Sequence, residues 1–197
     1  MPTILYGLYF LKWGNFMLKK IIVLLLTICT LLLAVGCSAI DKRNPFSQPT
    51  EKVFSIDNYK LQITANTTFK EDTDGEFDLQ ITNDDCYISV MTYKYVDISE
   101  DLTPMDVFDM QNDALFSQRD NVTVVEKATT QTLGQKSIIK ALYSAEKDKI
   151  KNYYVAYLID IPENETLSWV LVSAMPTYII ENKENIDNIV YSLEAVK

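Results

Sequence analysis

Histidine is missing from all 197 residues. Its absence removes the side chain that most often acts as a general base near neutral pH and the commonest transition-metal ligand. Zinc centres built on histidine and the Ser-His and Cys-His hydrolases are excluded with it. Glycine is scarce, five in the chain, which leaves little material for phosphate-cradling loops. No G-x-S-x-G, G-x-G-x-x-G or P-loop pattern occurs. Basic residues are few as well. Lys12, Lys19 and Lys20 are the only charges before Cys37, so 15 of the 18 basic and all 27 acidic residues follow it, a net charge of −12. A surface of that sign does not neutralise phosphates, which argues against a nucleic-acid partner.

What is present is an ordinary globular composition, 48% hydrophobic and 23% charged, with length for one well-cored domain plus accessories. Ahead of it, Met17-Leu18-Lys19-Lys20 gives a short basic start, and IIVLLLTICTLLLAV from Ile21 to Val35 carries no charge. This is the layout of an export signal. A membrane-spanning helix needs about 20 apolar residues; this run is shorter and ends abruptly. Its end, Leu33-Ala34-Val35-Gly36-Cys37, resembles the lipobox of bacterial lipoproteins. Gly36 and Val35 fit that pattern, while Ala34 stands where leucine is usual.

The resemblance implies cleavage between Gly36 and Cys37, a diacylglyceryl group on the Cys37 sulfur and acylation of the new amino terminus. Each buried CH₂ contributes about 0.8 kcal/mol, so one acyl chain holds marginally and two hold stably. The expected location is the extracytoplasmic face of a bacterial cell membrane. Residues 1–16 precede a start that already works, so Met17 is read as the true start and 1–36 as the signal peptide. No internal disulfide is expected, because cleavage removes Cys29, an acylated Cys37 cannot pair, and Cys86 is left alone.

Residues 37–53 are polar, hold Pro45 and Pro49, lack periodicity and read as a linker, so the globular domain is expected over 54–197. A tether of this kind reaches about 20 Å, and the acidic surface disfavours close contact with anionic lipid. Alternating segments predict strands at 54–56, 59–63, 77–81, 87–96, 122–127, 129–133, 136–145, 150–161 and 166–175. The strands at 150–161 and 166–175 are apolar on both faces and are expected to be central and covered twice. Thr103-Pro104, with Asp106 behind it, signals the start of a helix bearing Val107, Met110 and Ala114. A second helix is predicted over about 179–191, with a short strand at 193–196.

This order predicts an α+β fold, an antiparallel sheet flanked by helices. Through FSIDNYKLQI, YISVMTYKY, TPMDVFDMQND, NYYVAYLIDI with SWVLVSAM, and IDNIVYSLE, it resembles the Mog1/PsbP-like α/β/α sandwich. That family includes photosystem II extrinsic subunits and a small-GTPase-binding protein. The resemblance therefore implies interaction more than catalysis.

Other patterns carry less. If Gly75 is the sixth residue of a calcium loop, Asp72 and Asp74 fall third and fifth, but Lys70 is then first and Ile81 twelfth, where carboxylates are required. A solvated hairpin turn is the expectation there, with no metal. Ser137-Lys140 and Ser144-Lys147 match S-x-x-K, yet residues three apart on a strand face opposite sides. Cys86 reads as a buried, inert thiol. Among the aromatics Tyr87, Tyr93, Tyr95, Tyr153, Tyr154, Tyr157 and Trp169, most are expected in the core. Tyr153, Tyr157 and Trp169 are the candidate partner or ligand surface.

The function expected is a membrane-anchored, non-catalytic interaction module for another envelope protein, without catalytic residues or cofactor. The alternative is a lipoprotein receptor for a small molecule or metal.

Overall fold

The structure is a computed structural model, and it describes residues 50–73 and 75–196. The signal segment, with Met17, Gly36 and Cys37, and Asp74 of the acidic turn lie outside the described residues.

Two sheets are present among them. The larger has seven strands in the order β3-β4-β5-β9-β8-β7-β6. These are β3 (Lys70–Glu71), β4 (Leu79–Thr82), β5 (Cys86–Lys94), β6 (Asp120–Leu133), β7 (Lys136–Lys147), β8 (Ile150–Ile161) and β9 (Thr166–Ala174). Every neighbouring pair is antiparallel. The smaller sheet, in the order β1-β2-β10, joins β1 (Glu51–Ile56), β2 (Leu61–Asn66) and β10 (Glu194–Ala195). Strand β1 begins at Glu51, ahead of the strand expected at 54–56. The cause is the β1–β2 ladder, which starts at Glu51 opposite Asn66.

The doubly apolar strands sit where their composition requires. Strand β9 is the middle of the seven and β8 is beside it, each flanked on both edges and buried along most of its length. Residues opposite one another in the ladders share a face. On one face Tyr154, Ala156, Leu158, Trp169 and Leu171 meet α1 (Pro104–Phe116) through its buried Val107, Phe108 and Leu115. On the other, Val155, Tyr157, Ile159, Val170 and Val172 form one cluster with Phe54, Ile56, Leu61 and Ile63 of the small sheet. Ile179 of α2 (Pro176–Glu181) and Ile186, Ile189 and Val190 of α3 (Lys183–Tyr191) complete it.

Local chemistry explains the boundaries. Helix α1 starts at a capping box: the Asp106 amide donates to Thr103 Oγ1 at 3.2 Å and the Thr103 amide donates to Asp106 Oδ2 at 2.8 Å. The bond from the Thr103 side chain, reinforced by its backbone, holds the Asp106 carboxyl below its ordinary range. The single helix expected over 179–191 is two. Asn182 leaves the helical region at φ −114 and ψ 16, and its side-chain amide donates to the Tyr178 carbonyl at 3.0 Å. The two strands expected at 122–127 and 129–133 are one strand, β6, which absorbs the interruption as register shifts against β7. The β7–β8 turn places Asp148 and Lys149 at φ 52 and 67, the two left-handed residues of the tightest hairpin connection.

Thr103→Ala removes the hydroxyl cap of α1 while leaving the buried face of the helix untouched. The expected loss is about 1 kcal/mol of unfolding free energy, measured as a lower urea midpoint with an unchanged slope.

Candidate interaction surface

The three aromatics read as a candidate surface do not form one. Tyr157 and Trp169 are both 0% exposed, and they lie on opposite faces of the sheet, since Tyr157 is opposite Val170 while Trp169 is opposite Leu158. Tyr153 is half-buried at the margin of the second face. The reason is topological. Their strands are the innermost of the sheet, so both of their faces are covered. The Trp169 Nε1–H donates to Asn112 Oδ1 at 3.3 Å, and the Asn112 amide donates to the Tyr143 hydroxyl at 3.3 Å. This bridge satisfies the polar atoms that α1 buries against the sheet.

On the second face, Asp187 of α3 is a hub. Lys140 Nζ donates to its two carboxylate oxygens at 2.6 and 2.7 Å, and the Tyr157 hydroxyl donates to Oδ1 at 2.6 Å. The Lys140 ammonium also stands 5.4 Å from the centre of the Tyr157 ring, and Tyr191 meets that ring edge-on at 6.2 Å. Burial, then the Asp187 charge, pushes the Tyr157 hydroxyl far above its ordinary value, in keeping with its role as a donor to Asp187. The adjoining cavity is about 10 Å³, room for a water and no substrate. The hub is a clamp between α3 and β7–β8. Sequence reasoning missed it, although one signal was there: Lys140 sits in phase with Ile138 and Leu142, and a lysine on an inward face requires a partner.

Strand β6 is the edge of the large sheet, and all fourteen of its residues are exposed. Val122, Val124, Val125 and Leu133 are apolar among them. Two side-chain hooks hold it to α3: Lys183 Nζ to Glu126 at 2.8 Å, and Gln131 Nε2 to the Tyr191 hydroxyl at 2.5 Å. Pairing with β7 shifts register at Asp120/Thr123, Val124/Glu126 and Glu126/Thr129. From Thr129 opposite Lys140 to Leu133 opposite Lys136 the ladder is regular. Bulges blunt an edge against other strands. Residues 129–133 are therefore the part of this edge able to accept another strand.

Beyond Leu133 lies a groove of about 260 Å³, lined by Gly134, Lys136, Ile161, Pro162, Glu163 and Glu194 among others. Lys136 Nζ donates to the carbonyls of Tyr191 at 2.6 Å and Leu193 at 3.0 Å, capping the end of α3. Burial lowers the pKa of that ammonium, and Glu194 and Glu163 oppose the shift.

The remaining motifs are structural. Ser137, Lys140, Ser144 and Lys147 all lie on β7, and Lys140 is engaged by Asp187. Cys86 is buried, which together with Asp85 pushes its thiol up to about 12. Asp72 accepts from the Gln80 amide at 2.7 Å. Among the described residues no group of three acidic or cysteine side chains is placed to hold a metal ion.

No protein-family model and no curated protein sequence matches the chain. Solved structures do. Cyanobacterial PsbP from Synechocystis superimposes with a TM-score of 0.57 at 13% identity, over 79% of this chain and 98% of that one. The fold is Mog1/PsbP-like. The Ran-binding protein Mog1p of Saccharomyces cerevisiae gives 0.52 at 12% identity, over 76% and 97%. LpqN of Mycobacterium tuberculosis, a protein involved in cell envelope biogenesis, gives 0.54 at 11% identity, over 75% and 91%. At such identities the likeness concerns the fold, and the expected α+β sandwich is the one observed.

Tyr59, Tyr93, Tyr95, Tyr143, Tyr157, Tyr178 and Tyr191 all have hydroxyls held above the ordinary tyrosine value of 10.0, chiefly by burial. The folded state keeps protons that the unfolded chain releases, so this stability is complete below pH of about 10 and is lost as pH rises further. Unfolding free energy should fall steeply above that pH, with phenolate absorbance at 295 nm lagging until the chain unfolds. Cys86, in turn, should resist an aromatic disulfide reagent at pH about 8 until denaturant is added, read by peptide-resolved mass spectrometry.

Proposed function

We propose that the chain is an extracytoplasmic lipoprotein, held to the bacterial cell membrane by acyl groups on Cys37 after cleavage at Gly36, whose domain binds another envelope protein without catalysis. The observation that carries the binding reading is β6, a fourteen-residue edge strand exposed throughout, with a regular stretch at Thr129–Leu133. An extended segment of a partner can add there through main-chain hydrogen bonds, while the exposed threonines and Leu133 meet its side chains. The clamp at Asp187 and the hooks at Glu126 and Gln131 keep that edge in place. Two structural neighbours are named for comparable roles, Mog1p for binding Ran and LpqN for cell envelope biogenesis. Against a catalytic reading stands the Lys140-Asp187-Tyr157 cluster of the described residues, whose adjoining cavity of about 10 Å³ has no room for a substrate.

The test is co-purification from detergent-solubilised membranes of the native host. Tagged wild type is compared with Cys37→Ala and with a Thr130→Lys/Thr132→Lys variant, and intact mass is taken on each. The wild type should carry the diacylglyceryl increment and bring down a reproducible partner. Cys37→Ala should lose the increment and the membrane fraction, and the edge variant should keep the anchor, fold normally and lose the partner. An acylated chain that captures nothing overturns the binding module.

A second reading, a receptor for a small polar molecule, is favoured by the groove of about 260 Å³ beside Lys136, Glu163 and Glu194. A ligand present at 100 times its Kd would add about 2.7 kcal/mol to the domain's stability, and a thermal-shift screen without any such response removes this reading.

A further inference from the structure

The described chain begins, at Thr50, near one identifiable end of the large sheet. Lys70, Thr82, Tyr87, Ser173 and Tyr154 lie on one row across it, one residue short of the end of β9 at Ala174. The Thr50 carbonyl accepts from the Thr67 amide at 2.8 Å, three residues before Lys70, on the side of that row toward the β7–β8 turn. Four strand spacings of about 4.8 Å separate β3 from β8, so the entry point and the turn share an end of the sheet about 20 Å apart. Strand β9 stops pairing with β8 at Tyr153, and β8 continues through Asn152, Lys151 and Ile150. At about 3.3 Å per residue the β7–β8 hairpin runs about 10 Å past β9 as a prong, and β6 starts alongside it with Asp120 opposite Glu146.

The chemistry of its tip differs from the rest of the domain. Lys147-Asp148-Lys149-Ile150-Lys151 carries three lysines to one aspartate, and Ile150 is 44% exposed between Lys149 and Lys151. The turn at Asp148-Lys149 is the tight two-residue type, which fixes these side chains relative to the strands. The opposite end is acidic. There Asp160 and Glu165 stand beside Tyr95, Asp97 beside Tyr59, and Glu163 and Glu194 beside Lys136.

We propose that the prong rests on the head-group surface of an anionic bilayer, with Lys149 and Lys151 on lipid phosphates and Ile150 between them, so that the acidic end points outward. This rests on the anchor at Cys37, which brings that end of the domain to the membrane. Net acidity, to which Asp84 and Asp85 of the β4–β5 turn add at this same end, repels the domain as a whole from anionic lipid, and the lysines of the prong are the local exception that selects an orientation.

The test uses the full acylated chain in vesicles of phosphatidylcholine alone or with about 30% phosphatidylglycerol, pulse-acetylated on lysine and read peptide by peptide. Lys149 and Lys151 should react about five-fold more slowly on the anionic vesicles, and about 0.5 M NaCl should abolish the difference. Lys60 and Lys94, at the acidic end, should react equally on both. Equal rates at Lys149 and Lys151, or protection of Lys60 and Lys94 instead, overturn the docking and leave the anchor standing. If the chain purified from the native host carries no acyl group on Cys37, the anchor and the docking that rests on it are overturned together.

Discussion

Everything in this domain follows from two strands that cannot tolerate water on either side. β8 and β9 carry apolar residues on both faces, so each face needs a cover, and no single element of a chain this length supplies both. Helix α1 covers one face through Phe108 and Leu115, while α2, α3 and the small sheet cover the other. The small sheet closes the structure across its sequence. β10, at the end of the described chain, pairs with β2 near its beginning, and the Ser192 hydroxyl bridges to the amide of Thr64 at 2.8 Å.

Apolar cover does not set a unique arrangement by itself, because greasy faces tolerate sliding. Polar pins do that here. Asp187 draws Lys140 and Tyr157 to α3, Asn112 joins Trp169 to Tyr143 beneath α1, and Asn164 donates to the Tyr59 carbonyl at 2.8 Å to fasten the small sheet to the β8–β9 turn. The same satisfaction that makes these groups good pins makes them poor catalysts. A tyrosine hydroxyl committed to a half-buried carboxylate, beside a cavity of about 10 Å³, is engaged in holding the fold.

What remains for function is the periphery. The edge strand β6 is long enough to offer main-chain groups to another protein and bulged enough that only part of it is receptive. The β7–β8 turn bears lysines at an end of the sheet that also holds Asp84 and Asp85, while carboxylates gather around Tyr95 and Lys136 at the other. The proposed role, holding a partner at a membrane surface, rests on that exposed edge and on a middle closed by packing.

The sequence alone determined the class of fold and the central strands, since composition on both faces of 150–161 and 166–175 is a local property that only full coverage can satisfy. It also determined the α1 cap, which depends on Thr103, Pro104 and Asp106 within a few residues. Cys86 was legible too, as an apolar thiol at a strand start that the core buries. Tertiary structure alone decided what covers each aromatic. Tyr157 and Trp169 lie in strands whose composition already required cover on both faces, and strand order sets Tyr157 against Asp187 of α3 and Trp169 against Asn112 of α1. Asp187 could not be matched to Lys140 or Tyr157 from spacing, because its partners lie 47 and 30 residues away. Even the receptive part of β6 became visible only against β7, because a bulge is a mismatch between two strands and neither strand carries it alone.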